Sequence, residues 1–127
     1  GGCVESSSQP EIGWHEVKAK DPKSPINGLW FQWHYDKFSV PDGAKELART
    51  ETCTQAFSAG TSLGIQFHPE VSSSQLANWL VVSQEELVQN NINGSELLDI
   101  TRINEIEASV RSESLLDWYL TDLMEHE

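Results

Sequence analysis

Basic residues are scarce in this chain: eight Lys and Arg stand against twenty Asp and Glu, giving a formal charge of -12. Such a surface repels nucleic acid and anionic membrane faces, and no basic patch overrides that repulsion, so neither is expected as a partner. No apolar run approaches the roughly 20 residues that cross a bilayer. No succession of basic, apolar and small residues marks a signal peptide, and a cytoplasmic location is the expectation. Cysteine is nearly absent. Cys3 and Cys53 cannot build a disulfide scaffold, and nothing around them has the paired spacing of structural zinc, so two reduced thiols are expected, with no metal and no cofactor. The only methionine is Met124, which implies a start that was processed, engineered or truncated. What remains is 127 residues with 38% apolar content and no low-complexity block, enough for one domain with a core.

The pattern divides near residue 70. In the first part, residues 11–17 read as a strand opened by Pro10, followed by a loop over 21–28 rich in turn formers. A second strand over 29–34 is expected to end in a Tyr35-Asp36 turn, with Trp30, Phe31 and Trp33 packing into core and loops. A third strand follows over 44–50. Residues 55–58 are then expected to pair across Ala59-Gly60-Thr61 with 63–68 as a hairpin. From Ser72 the period changes to that of helices, with Leu76, Trp79, Leu80, Leu87 and Val88 on apolar faces and a break at 90–94. Gly94 or Ser95 should cap a last segment whose stripe includes Leu97, Ile103, Ile106, Val110, Leu115 and Leu116. That stripe is expected to pack on the sheet, and the segment to break into two helices near Ile103-Asn104.

The densest chemistry lies in Gly64-Ile65-Gln66-Phe67-His68-Pro69-Glu70. Leu63, Ile65 and Phe67 alternate as in a strand, and Pro69 forbids continuation of the ladder. His68 is thereby set at a strand's carboxyl end, where open α/β sheets place their chemistry. A histidine there can take a proton from a nucleophile, and a carboxylate two residues on can fix its tautomer and stabilise the imidazolium. His15-Glu16 with His34 and Asp36 is a weaker grouping, because its spacing is too generic to specify a metal site.

Leu63 to Glu70 resembles the His-Pro-Glu signature of class I glutamine amidotransferases. Glu11-Ile12-Gly13-Trp14-His15-Glu16-Val17, Trp33-His34-Tyr35-Asp36, Leu47-Ala48-Arg49-Thr50 and Gln55-Ala56-Phe57 are similar, in order, to segments of that family's guanylate-synthase-like branch. The resemblance implies an α/β fold: the later portion of a flavodoxin-like class I amidotransferase domain, a mixed sheet with an antiparallel hairpin and carboxyl-terminal helices. It implies one partial domain over 1–127, strand-rich through 70 and helical over 71–127. It implies His68 as catalytic base and acid, Glu70 as its orienter, and a substrate-binding role for His34, Tyr35 and Asp36 through the turn they make.

The family's Gly-x-Cys-x-Gly elbow, which carries the nucleophile, does not occur in these residues. Gly1-Gly2-Cys3-Val4-Glu5 resembles the stretch that follows the elbow's helix, so Cys3 does not align with the nucleophile, and Cys53 lacks the elbow context. The implied activity is release of ammonia from glutamine through a glutamyl thioester, with this chain inactive alone. The implied partners are a second copy of the chain or a complementary amino-terminal amidotransferase fragment, together with a synthase that consumes ammonia. The alternative is a non-enzymatic assembly protein derived from the same fold.

Overall fold

Alternating apolar residues around Trp14 and Phe31 build two long strands that the rest of the chain packs around. The computed structural model describes residues 2–124; Gly1 of the first segment and the last three residues of the helical part lie outside the described residues. Strands β1 (Val4–Ala19), β2 (Gly28–Phe38), β3 (Lys45–Arg49), β4 (Thr54–Ala59) and β5 (Ser62–Ile65) are followed by helices α1 (Ser73–Val82), α2 (Gln84–Gln89) and α3 (Gly94–Trp118) and a short π-helical segment, Tyr119–Leu123. The sheet order is β2-β1-β3-β4-β5. All four pairings are antiparallel, so the α/β architecture appears in these residues as a curled antiparallel sheet with helices after it.

Several boundaries differ from the sequence reading. β1 begins at Val4 because Val4, Glu5 and Ser6 pair with Phe38, Lys37 and Asp36. This Ser-rich stretch shows no apolar alternation, since the ladder there is held by backbone pairing. Pro10 falls in the register irregularity between Ser6 and Glu11, where its missing N–H does no harm. For the same reason the Tyr35-Asp36 turn is absent: these residues lie inside β2. The hairpin loop is shorter than expected, because Ala59 pairs with Ser62 and leaves only Gly60-Thr61. Gly60 has φ +61°, as the first central position of a type II′ turn requires. β5 ends at Ile65, and the chain then crosses so that the His68 N–H donates to the Phe31 carbonyl at 2.8 Å.

Trp30 and Phe31 are both fully buried, and as neighbours on a strand they serve opposite faces. Trp30 packs with Val17, Ala48, Ala56, Phe67 and Leu115, and its ring stacks on Phe67 with centroids 4.6 Å apart. Phe31 packs with Val71, Leu76 and Leu97. α3 thus contributes Leu97 to one cluster and Leu115 to the other. It runs unbroken through Ile103-Asn104, where the Asn104 amide donates to the Ile100 carbonyl at 2.9 Å, inside the helix. Asn93, rather than Gly94 or Ser95, caps it by accepting from the Glu96 N–H at 3.1 Å. The Trp14 indole N–H donates to Thr101 Oγ1 at 2.9 Å, and the Arg111 guanidinium lies over Trp30 and donates to the Leu29 carbonyl.

The expected stripe is only partly core. Ile103, Ile106, Val110 and Leu116 remain exposed, at 57–77% of their possible area. No helix among the described residues is long and apolar enough to cross a membrane. Leu76 is wholly buried, so Leu76→Ala should lower unfolding free energy by about 2–5 kcal/mol in denaturant titration; a loss below about 1 kcal/mol would remove Leu76 from the core.

Candidate active site

Pro69 stops strand pairing just as the His68 bridge pins the backbone to β2. The His68 ring is set by the aromatic residues around it: its centroid lies 6.4 Å from that of Phe31 and 5.6 Å from that of Trp79 on α1. Ser72 orients α1, its hydroxyl accepting from the Gln75 N–H at 3.2 Å. His68 Nδ1 lies 2.8 Å from Glu70 Oε1. An ionised carboxylate can only accept, so Nδ1 donates to it, and the neutral ring then carries its lone pair on Nε2. Among the described residues Nε2 has no hydrogen-bond partner. A hollow of about 250 Å³ adjoins the ring, lined by Trp33, His68, Trp79, Val82 and Ser83.

The three residues assigned to substrate binding do not line that hollow. His34 turns inward, with Nε2 2.9 Å from Glu11 Oε1 and Nδ1 2.8 Å from the Asp36 carbonyl. Tyr35 donates its hydroxyl to Glu86 Oε2 at 2.6 Å, tying β2 to α2; partial burial and the Glu86 carboxylate both push its pKa up. Asp36 also offers its carbonyl to the Gln66 amide at 3.0 Å. The β2 residue that lines the hollow with His68 is Trp33, which the sequence reading assigned to packing.

A buried polar cluster escaped the sequence reading. Glu11, only 3% exposed, accepts from the Gln55 amide at 3.0 Å and lies 3.5 Å from Cys53 Sγ. Burial alone would raise the Glu11 carboxyl, but hydrogen bonds from His34 and Thr50 and the nearby His34 charge outweigh it and hold its pKa below 4.5. Gln32 donates to Gln55 Oε1 at 2.9 Å, while its own Oε1 has no partner among the described residues. Glu11, His34 and Cys53 each offer a ligand atom, all within 4.8 Å of one another. His34 groups with these two, and not with Glu16 and Asp36.

The two thiols sit in different surroundings. Cys53 is buried, and burial together with the Glu11 carboxylate pushes its pKa up to about 11. Cys3 is exposed, with its Sγ 3.5 Å from Ser39 Oγ.

No family model matches the chain. In sequence it is similar to the GMP synthase (glutamine-hydrolyzing) of Borreliella burgdorferi (strain N40), 34% identical over 90 residues, covering 64% of this chain and 18% of that protein. The GMP synthase (glutamine-hydrolyzing) of Aeropyrum pernix is 40% identical over 94 residues, with 63% and 18% covered. The chain therefore spans under a fifth of the length of the curated relatives it matches. In structure it superposes on a glutamine amidotransferase from Thermotoga maritima with a TM-score of 0.85 and 27% identity, over 96% of this chain and 56% of that one. The fold is that of a class I glutamine amidotransferase domain. The chain superposes on part of such a domain, and the curated proteins it is similar to in sequence are glutamine-hydrolyzing GMP synthases.

The two buried groups set opposite pH limits. A folded-state pKa held below 4.5 means that the Glu11 contribution is complete above that pH and is lost as pH falls through the folded value. A Cys53 pKa raised from 9.0 to about 11 means that its contribution is complete below 9 and is lost as pH rises towards 11. The denaturation midpoint should therefore decline on the alkaline side between these values, and less so in Cys53→Ser. At neutral pH a thiol reagent should label Cys3 fast and Cys53 slowly; equal rates would contradict the burial of Cys53.

Proposed function

We propose that this chain supplies the histidine and carboxylate of a Cys-His-Glu triad for glutamine amide hydrolysis, with the thiol supplied by a separate amidotransferase segment that carries the elbow. The observation that carries the reading is the 2.8 Å bond between His68 Nδ1 and Glu70, which leaves Nε2 free to take a proton. In the reaction, Nε2 would accept the thiol proton as sulfur attacks the amide carbon, then pass it to the departing nitrogen as ammonia leaves. Water would next attack the glutamyl thioester, with His68 again as base, returning glutamate and the thiol. Glu70 would hold the tautomer and stabilise the imidazolium. The ammonia would pass to a synthase, as the GMP synthase relatives suggest.

The partner's seat is supported by a groove of about 1010 Å³ beside the dyad, bounded by Leu63, Pro69, Glu70, Val71, Ile106 and Leu116. Apolar side chains left this open favour a protein neighbour. The occupant we infer is the amino-terminal part of the amidotransferase fold, because the Thermotoga maritima structure contains a large portion that this chain does not cover. A second copy of the chain, or a wholly non-enzymatic assembly role, would use the same surface.

The isolated chain should release no ammonia from glutamine. When joined to an elbow-bearing amino-terminal segment it should gain glutaminase activity, and His68→Ala should lower that activity by about 10²–10⁴-fold. Activity of the isolated chain that disappears in Cys3→Ala or Cys53→Ala would overturn the reading. So would a joined enzyme indifferent to His68→Ala. Light scattering separates the occupants: a monodisperse monomer excludes self-association through the groove.

A further inference from the structure

We propose that Glu11, His34 and Cys53 form a binding site for one divalent transition-metal ion of zinc-like character, separate from the His68–Glu70 dyad. The three residues converge from β1, from β2 and from the position just before β4, and their donor atoms lie within 4.8 Å of one another. Carboxylate oxygen, imidazole nitrogen and thiolate sulfur together make a donor set that zinc accepts readily.

The orientation of His34 supports the assignment. Its Nδ1 lies 2.8 Å from the Asp36 carbonyl, which can only accept, so Nδ1 carries the hydrogen. As an imidazolium the ring donates from Nε2 to Glu11 Oε1 at 2.9 Å, whereas a neutral ring turns a bare lone pair towards that oxygen, a position in which a metal ion can take the proton's place. Two acceptors this close require a cation between them, either a proton or a metal ion. An imidazole whose outer nitrogen is fixed by a backbone carbonyl is the arrangement that orients metal-binding histidines.

Two of the three donor edges are close to those of a tetrahedral ion, and the sulfur–nitrogen edge, within 4.8 Å here, would close towards about 3.5 Å on binding. A tetrahedral ion with bonds of about 2.3 Å to sulfur and 2.0 Å to oxygen has an S–O edge of about 3.5 Å. Cys53 Sγ and Glu11 Oε1 lie 3.5 Å apart. The corresponding N–O edge is about 3.3 Å, so His34 and Glu11 would part by a few tenths of an ångström. One carboxylate and one thiolate neutralise a divalent charge, which makes the occupied site electrically balanced where burial demands it. The Gln55 amide, donating to Glu11 at 3.0 Å and lying 3.6 Å from Cys53, supports both ligands from behind. Of the three ligands Glu11 borders a cleft of about 600 Å³ that is also lined by His15, Arg49 and Thr50, the side from which an ion would enter.

The test uses Cys3→Ser protein, stripped with a chelator and titrated with cobalt(II). A near-ultraviolet thiolate-to-cobalt charge-transfer band saturating at one cobalt per chain is expected, reversed by zinc. Cys53→Ser should lose the band, and Glu11→Gln and His34→Gln should weaken cobalt binding at least about tenfold, the scale on which even supporting residues matter. Should Cys53→Ser fail to fold, zinc should still slow alkylation of Cys53 in the Cys3→Ser protein by at least about tenfold and raise its melting temperature. Absence of the charge-transfer band in folded Cys3→Ser protein, or its survival in Cys53→Ser, would overturn the proposal and leave a proton as the bridging cation.

Discussion

One backbone hydrogen bond, from the His68 N–H to the Phe31 carbonyl at 2.8 Å, connects the chain leaving β5 to β2 at the far end of the strand order. It draws the curled sheet towards closure and fixes two things at once. Phe67, one residue before, stacks on Trp30 inside one core, while His68 faces Phe31 and Trp79 at the rim of the other. Since Trp30 and Phe31 are themselves neighbours, the two dipeptides pack side by side. The His68 ring is therefore positioned by aromatic packing as much as by Glu70.

Further along the Trp30 face of β2 lies a different kind of constraint. Glu11, Gln32, His34 and Gln55 are polar groups sunk among strands, and burial of this sort is tolerated only when partners are supplied. Among the described residues the network supplies nearly all of them, with the Gln32 side-chain oxygen Oε1 as the exception. An acid-sensitive and an alkali-sensitive contribution to stability meet in this cluster, because it contains both a carboxyl held ionised and a thiol held neutral.

Much of this architecture was legible in the sequence, and the illegible parts share a cause. Alternation revealed the central strands, Gly60 the hairpin and Ser72 a helix start, whereas the strand expected to deliver His68 stops at Ile65 and His68 reaches β2 through a single bridge. The extension of β1 back to Val4 was hidden because serines pair through backbone without leaving an apolar signature. Glu11 was hidden because an acid in a strand ordinarily faces water, and the partners that bury it lie 23, 42 and 44 residues away. His34 was read as a substrate-binding residue, but the group it joins could be found only once β1, β2 and β4 were placed together. The expected break in α3 rested on a polar residue at 104, whose amide instead turns back into the helix.

α3 also gives the domain its mechanical unity. Leu97 and Leu115 are 18 positions apart, about 27 Å along a helix at 1.5 Å per residue, and each is buried in a different hydrophobic cluster. A rigid rod anchored in both clusters cannot release one without loosening its hold on the other. Adjacent Trp30 and Phe31 join the two cores at one point, and α3 ties them again at a distance, an arrangement that favours a single cooperative transition.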